Sequence, residues 1–232
     1  MRRVLLLGAL ALLPLATAGE AQATRECRGL DVCISVPGPW VAVPAAPAAG
    51  ISTVYFQQTC PKGSIVGGLD AVLGDRTLDV RFLGALGSPV NPGITTSRSV
   101  VFVATYARAR PTAFRPVIGC IPTSGGGRST TAYTPVALRA LPVLRRVRTL
   151  RVPAGTRQLV ARCGGGERLV GLSYAVGFRR QAEPTGAMLT GVTVSAQTQG
   201  GAVRVRATRT AAVPRGTRVL VQVHLLCARS PR

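Results

Sequence analysis

Acidic residues, lysine, histidine and aromatic rings are all scarce in this chain. Of its 232 residues, 8 are acidic, one is lysine (Lys62), one is histidine (His224), and aromatics make up 4%. Each scarcity removes a class of chemistry. A serine-histidine-aspartate relay would have to use His224 as its base. Few aromatic rings means no stacking platform for single-stranded nucleic acid. Close cysteine pairs of the C-x-x-C kind are absent, and with a lone histidine that excludes a zinc ligand set; neither a metal nor a cofactor is expected. Gly and Pro, 27 and 17 residues, stay below the share that marks low-complexity disorder. What remains is a folded, loop-rich chain, long enough for one large domain or two of about 100 residues.

Arginine is what the chain has in excess. Basic residues number 29 against the 8 acids, and all but Lys62 are arginine. Such a surface favours anionic partners, which are anionic polymers of a cell envelope or another extracellular protein.

Residues 1–23 read as an export signal. Arg2 and Arg3 form a charged start, Val4 to about Leu15 an apolar stretch, and Ala21-Gln22-Ala23 a small-x-small cleavage site. The apolar stretch, interrupted by Gly8 and Pro14, falls short of the roughly 20 residues of a membrane span. No later segment reaches that length without charge, so no span is expected in the mature chain. Without this segment the chain has 27 basic and 7 acidic residues, a net charge of +20. Six cysteines follow it: Cys27, Cys33, Cys60, Cys120, Cys163 and Cys227. An even number in an exported chain implies disulfides, because that compartment is oxidising.

A repeat organises the rest. Cys60-Pro61-Lys62-Gly63 leads to Gly68-Leu69, and Cys163-Gly164-Gly165-Gly166 leads to Gly171-Leu172. In both, glycines fall 3 and 8 residues after the cysteine, and each unit closes on a second cysteine 60 or 64 residues further on. Val43-Pro44-Ala45 and Val152-Pro153-Ala154 stand upstream at matching places. The expected division is a 24–39 segment with its Cys27–Cys33 loop, a first unit over 40–122, a Gly/Ser/Arg-rich linker over 123–146 and a second unit over 147–232. The repeat selects Cys60–Cys120 and Cys163–Cys227 among the possible pairings. Each long bridge closes a loop worth about 3–4.5 kcal/mol on the chain-entropy account.

Within each unit the apolar period is two. Val203, Val205 and Ala207 alternate with Arg204, Arg206 and Thr208, and Val219, Val221, Val223 and Leu225 share a face opposite Gln222 and His224. Alternation of this kind marks half-buried antiparallel strands, and turn signals at Gly74-Asp75, Asn91-Pro92-Gly93 and Gly200-Gly201 separate them. Helical periodicity is confined to 136–142. The fold expected is all-β, two tandem antiparallel β-sandwich units, each with one disulfide. The Cys-x-x-Gly, Gly-Leu and closing-cysteine pattern resembles a repeat of exported actinobacterial proteins, whose usual form is Cys-Pro-x-Gly with a glycine pair or triplet. Cys60-Pro61-Lys62-Gly63 with Gly67-Gly68 fits it best; the second unit has Gly164 for the proline and Val170 for the first glycine. The resemblance implies a fold and carries no activity.

The candidate polyanion-binding residues are Arg139, Arg145, Arg146, Arg148, Arg204 and Arg206, and the 123–146 segment is otherwise a solvated hinge. Aligning Val100–Tyr106 with Ala202–Thr208 turns Phe102, Ala104 and Tyr106 outward, an apolar face that needs a cover. Phe102, Tyr106 and Trp40 are therefore the candidate partner or inter-unit face, and His224 is expected to point outward. Asp70, Asp75 and Asp79 could supply a glycosidase pair or calcium oxygens; turn and strand-surface roles explain them better. Gly164-Gly165-Gly166 lacks the lysine-serine and helix that a phosphate loop needs. The reading is a secreted, non-enzymatic binding or structural protein, cationic and directed to anionic surface polymers. Its alternatives are an exported hydrolase with an atypical carboxylate site and an inhibitor-like module built on the 85–97 loop.

Overall fold

The computed structural model describes residues 27, 33–48, 50–83, 98–122 and 143–229. The export segment, Arg139, the 85–97 loop and residues 136–142 lie outside them. The described chain is all-β. Its strands are β1 (Ile34–Pro37), β2 (Trp40–Val43), β3 (Ser52–Thr59), β4 (Ser64–Leu73), β5 (Asp79–Leu83), β6 (Ser99–Tyr106), β7 (Thr112–Pro122), β8 (Val143–Val152), β9 (Gly155–Arg162), β10 (Glu167–Arg179), β11 (Val192–Gln199), β12 (Ala202–Arg209) and β13 (Arg218–Arg229). One short helix, α1 (Gly186–Thr190), interrupts them. The last four residues assigned to the linker, 143–146, belong to β8. β8 pairs antiparallel along nearly the whole of β13, Val143 with Ala228 through Val152 with Val219.

A seven-stranded antiparallel sheet runs β1-β7-β2-β10-β13-β8, with β4 on the other edge of β7. Two three-stranded sheets, β3-β6-β5 and β11-β12-β9, cover it. Alternation along single strands shows that they lie on opposite faces. In β2, Val41 and Val43 join the core under β3-β6-β5, while Trp40 and Ala42 join the core under β11-β12-β9. In β13, Val219, Val221, Val223 and Leu225 face the second core. The large sheet is thus a central layer with both faces covered, and it passes without a break from one half of the chain to the other.

One strand order serves both halves. The order β2-β7-β4 with β3-β6-β5 is matched by β8-β13-β10 with β9-β12-β11. Cys60–Cys120 and Cys163–Cys227 are bridged, with Cα atoms 5.8 and 5.7 Å apart, as is Cys27–Cys33. The ladders β4–β7 and β10–β13 each carry a bulge at the same distance from the bridge, at Val66/Gly68 and Leu169/Gly171.

Register corrects the expected outward face. Phe56 and Leu159 each stand four residues before their cysteine, and they pair with Phe102 and Val205. Phe102 therefore corresponds to Val205, not to Arg204, and Tyr106 to Arg209. A slip of one residue exchanges the two faces of a strand. Phe102, Ala104 and Tyr106 are core residues of the first half, packed with Val54, Phe56 and Phe114. Trp40 crosses between the halves: it pairs with Phe178, packs in the second core and donates its indole N–H to the Gln181 carbonyl at 3.1 Å.

The junction of the halves is narrow. β2 and β10 share two pairs, Val41 with Gly177 and Trp40 with Phe178. A Cβ at Gly177 would stand 3.0 Å from both Leu220 and Pro39. Gly177→Ala should therefore force β2 away from β10 and cost about 1–3 kcal/mol as an overpacking change. Urea unfolding measures it; an unchanged midpoint would show that Pro39 and Leu220 yield freely.

Candidate anion-binding site

Arginines from four separate segments converge on one cleft of about 680 Å³ in the second half. Arg151 ends β8, Arg179 ends β10, Arg209 ends β12, Arg215 lies in the turn that follows, and Arg218 starts β13. Val152, Pro153, Val219 and Leu220 complete the wall, and no aspartate or glutamate lines it. Four of these arginines are exposed, while Arg209 is 9% exposed.

Arg209 is held by neutral groups. It donates to the carbonyls of Thr217 at 2.9 Å, Val213 at 3.2 Å and Pro214. Those contacts tie the guanidinium to the 213–217 turn through neutral acceptors, which do not cancel its charge. The result is a cleft whose guanidiniums, among the described residues, have no carboxylate in an ion pair with them. Guanidiniums present paired donors in a planar fork, the geometry that grips carboxylate, phosphate or sulfate oxygens.

The matching corner of the first half carries an acid, Asp75, beside Arg108 and Arg110. Tyr106, in the place of Arg209, donates its hydroxyl to Asp75 Oδ2 at 2.8 Å, and Arg110 donates to the same oxygen at 2.9 Å. The Thr77 backbone N–H, then Tyr106 and Arg110, hold the Asp75 carboxyl far below the usual carboxylate range. No acid takes the part of Asp75 in the lining of the second-half cleft.

Of the six arginines chosen from the sequence, Arg145, Arg146, Arg148, Arg204 and Arg206 are described, and their surroundings differ. Arg146 is spent in a two-pronged ion pair with Glu167, at 2.7 and 2.6 Å. That pair, with the Gly164 N–H, pulls the Glu167 carboxyl down to about 2. Arg145 stacks 4.8 Å above the Tyr55 ring and donates to His224 Nδ1 at 3.3 Å. Arg148 is exposed on β8, and Arg204 and Arg206 are exposed on β12. Arg151 and Arg179 lie far in sequence from the other three, so no local pattern joins all five; the closeness of Arg209, Arg215 and Arg218 around the Pro214-Arg215-Gly216 turn was the local signal.

His224 does not point outward: it is fully buried. It and Gln222 lie on the central-sheet face covered by β3. Gln222 acts as a strand substitute for the open edge of β3, accepting from the Gln57 N–H at 2.5 Å and donating to the Gln57 carbonyl at 3.0 Å. His224 Nε2 lies 2.8 Å from Gln222 Oε1. With Arg145 donating to Nδ1, the ring is neutral and carries its proton on Nε2. Burial, then the nearby Arg145 charge, lowers its pKa to about 4. This network ties the halves together and has no access to substrate.

The carboxylates considered for catalysis are each engaged locally. Asp70 accepts from the Ala71 N–H at 2.8 Å, Asp75 is bound as above, and Asp79 pairs with Arg81 at 2.8 Å on the surface. Cys163, Glu167 and Cys227 bring ligand atoms within 4.8 Å of one another. The two sulfurs are joined in a disulfide, so neither is a thiolate that could bind a metal. Among the described residues no helix is long and apolar enough to cross a membrane. No protein-family model matches the chain, and no curated protein matches it.

Proposed function

We propose that the chain is an exported, non-catalytic protein that binds anionic polymers through the arginine cleft, and that its halves descend from one duplicated unit. The single observation that carries the binding role is the cleft itself: five arginines around one cavity with no acid in its lining. Three disulfides suit an oxidising, extracellular setting. The absence of catalysis is read from the engaged carboxylates and the buried, neutral imidazole. The repeated strand order, bridge and bulge support the duplication, as does the sequence pattern shared with exported repeat proteins.

The test separates the cleft from net charge. Arg215→Gln with Arg218→Gln removes two cleft charges; Arg76→Gln with Arg108→Gln removes two exposed charges elsewhere. On an immobilised anionic polymer at low salt, the cleft pair should weaken binding about tenfold, equivalent to ~1.4 kcal/mol. The control pair should change it little, and wild-type retention should collapse as salt rises. Equal loss in both variants, or salt-independent retention, would overturn the assignment.

A further inference from the structure

We infer that the chain assembles head to tail with further copies of itself, β8 of one copy adding to β4 of the next. The junction inside the molecule is then repeated between molecules. That junction pairs unlike edges. The halves share one strand order, β2-β7-β4 and β8-β13-β10, and they are joined by β2 of the first and β10 of the second. The two edges left over in the central sheet are β4 and β8, and among the described residues neither has a second strand partner. β4 is the counterpart of β10: Val72 and Leu73 pair with Arg115 and Phe114 as Ala175 and Val176 pair with Gln222 and Val221, at equal distances from the closing cysteine. β8 is the counterpart of β2, for Val152 pairs with Val219 as Val43 pairs with Thr112.

The leftover edges look like a junction with one side missing. Ala175 is 2% exposed because it packs across the junction into the first core. Its counterpart Val72 is 46% exposed, and Leu73 beside it 41%. Charge also sorts the edges. β8 carries four arginines, of which Arg148 and Arg151 pair with no acid among the described residues. Basic side chains on an edge keep it from its own kind, so β8 does not meet a second β8. β4 has no basic residue; its one charge is Asp70, and Glu183 lies against Gly74 just past its end. Neither acid is in an ion pair among the described residues. The internal register, Val41 with Gly177, would set Leu150 opposite Gly74 and Arg151 opposite Leu73. Passing from one half to the next reverses strand direction and moves the covering sheet to the other face. Repeated, that step runs on as a line and does not close into a ring.

Sedimentation of the disulfide-bonded protein at about 0.15 M salt, where charges are screened beyond ~8 Å, is the test. No polymer is added, so the result is independent of the cleft reading. Wild-type average mass should rise with concentration past that of a dimer. Val72→Lys with Leu73→Lys blocks β4, and Arg148→Glu with Thr149→Glu blocks β8. Each variant alone should stay monomeric, and an equal mixture should stop at dimers, because one free edge of each kind remains. Thr193→Lys with Ser195→Lys adds the same charge to β11 and should assemble like wild type. All six positions are exposed, so the variants keep the fold, which a wild-type denaturant midpoint checks. A wild type that is monomeric at every concentration, or a β11 variant that fails as the β4 variant does, overturns the assembly. A wild type that stops at dimers, a β8-blocked variant that dimerises alone, or a mixture that stays monomeric overturns its head-to-tail sense.

Discussion

Replacing Gln222 with leucine is expected to cost at least about 3 kcal/mol of stability, since leaving a buried polar group unpaired costs ~1–3 kcal/mol each. Three groups lose their partner at once: the Gln57 N–H, the Gln57 carbonyl and the His224 Nε2–H. The leucine would fill most of the volume, so the loss isolates hydrogen bonding from packing. Because Gln57 belongs to the first half and Gln222 to the second, the change should also loosen their docking. Denaturant unfolding monitored by hydrogen exchange at β3 and β13 reads both effects. A loss below about 1 kcal/mol would mean that water replaces the amide at the β3 edge. In the Gln222→Leu background, His224→Leu should cost less than in wild type, because the imidazole N–H has already lost its acceptor.

Acidification from pH 6.5 to 4 should remove about 3 kcal/mol of stability through His224 alone, at ~1.36 kcal/mol per pKa unit. The unfolded imidazole titrates near 6.5, whereas the folded one resists protonation until about 4. Over that window the unfolded state binds more protons, so stability rises with pH and falls as acid is added. Arg145 faces the ring and reinforces the effect, since a second positive charge beside the guanidinium is repelled. His224→Gln should flatten this slope. Below pH 4 the decline should continue in both proteins, as the depressed carboxyls of Glu167 and Asp75 take up protons and release Arg146 and Arg110. Denaturant midpoints measured from pH 4 to 7 decide the matter. A wild-type curve as flat as the variant's would show that His224 is protonated in the folded protein.

Strand content was legible because alternation is a local property. Val203, Val205 and Ala207 mark one face of β12 whatever lies elsewhere. The bridges were legible too, because a repeat places equivalent cysteines at equivalent ends. What misled was the assumption that a polar residue opposite a core face must meet water. Gln222 and His224 stand opposite such a face and are buried, since β3 of the other half covers the second side of the central sheet. The alignment of β6 with β12 failed by one residue for a related reason. β6 is apolar at consecutive positions from Val100 to Ala104 and so fits either register, and only the pairing of Phe56 with Phe102 and Leu159 with Val205 fixes it.

The division of labour is clear at the arginines. Sequence alone determined that the chain is all-β, bridged within each unit, strongly cationic and poor in proton-transfer groups, because those properties follow from period, spacing and count. Tertiary structure decided which charges remain free. It paired Arg146 with Glu167, half-buried Arg145 against Tyr55 and His224, and gathered Arg151, Arg179, Arg209, Arg215 and Arg218 around one cleft. Charge is additive along a chain, but an electrostatic field depends on distance, and distances between strand ends exist only once the sheets have formed.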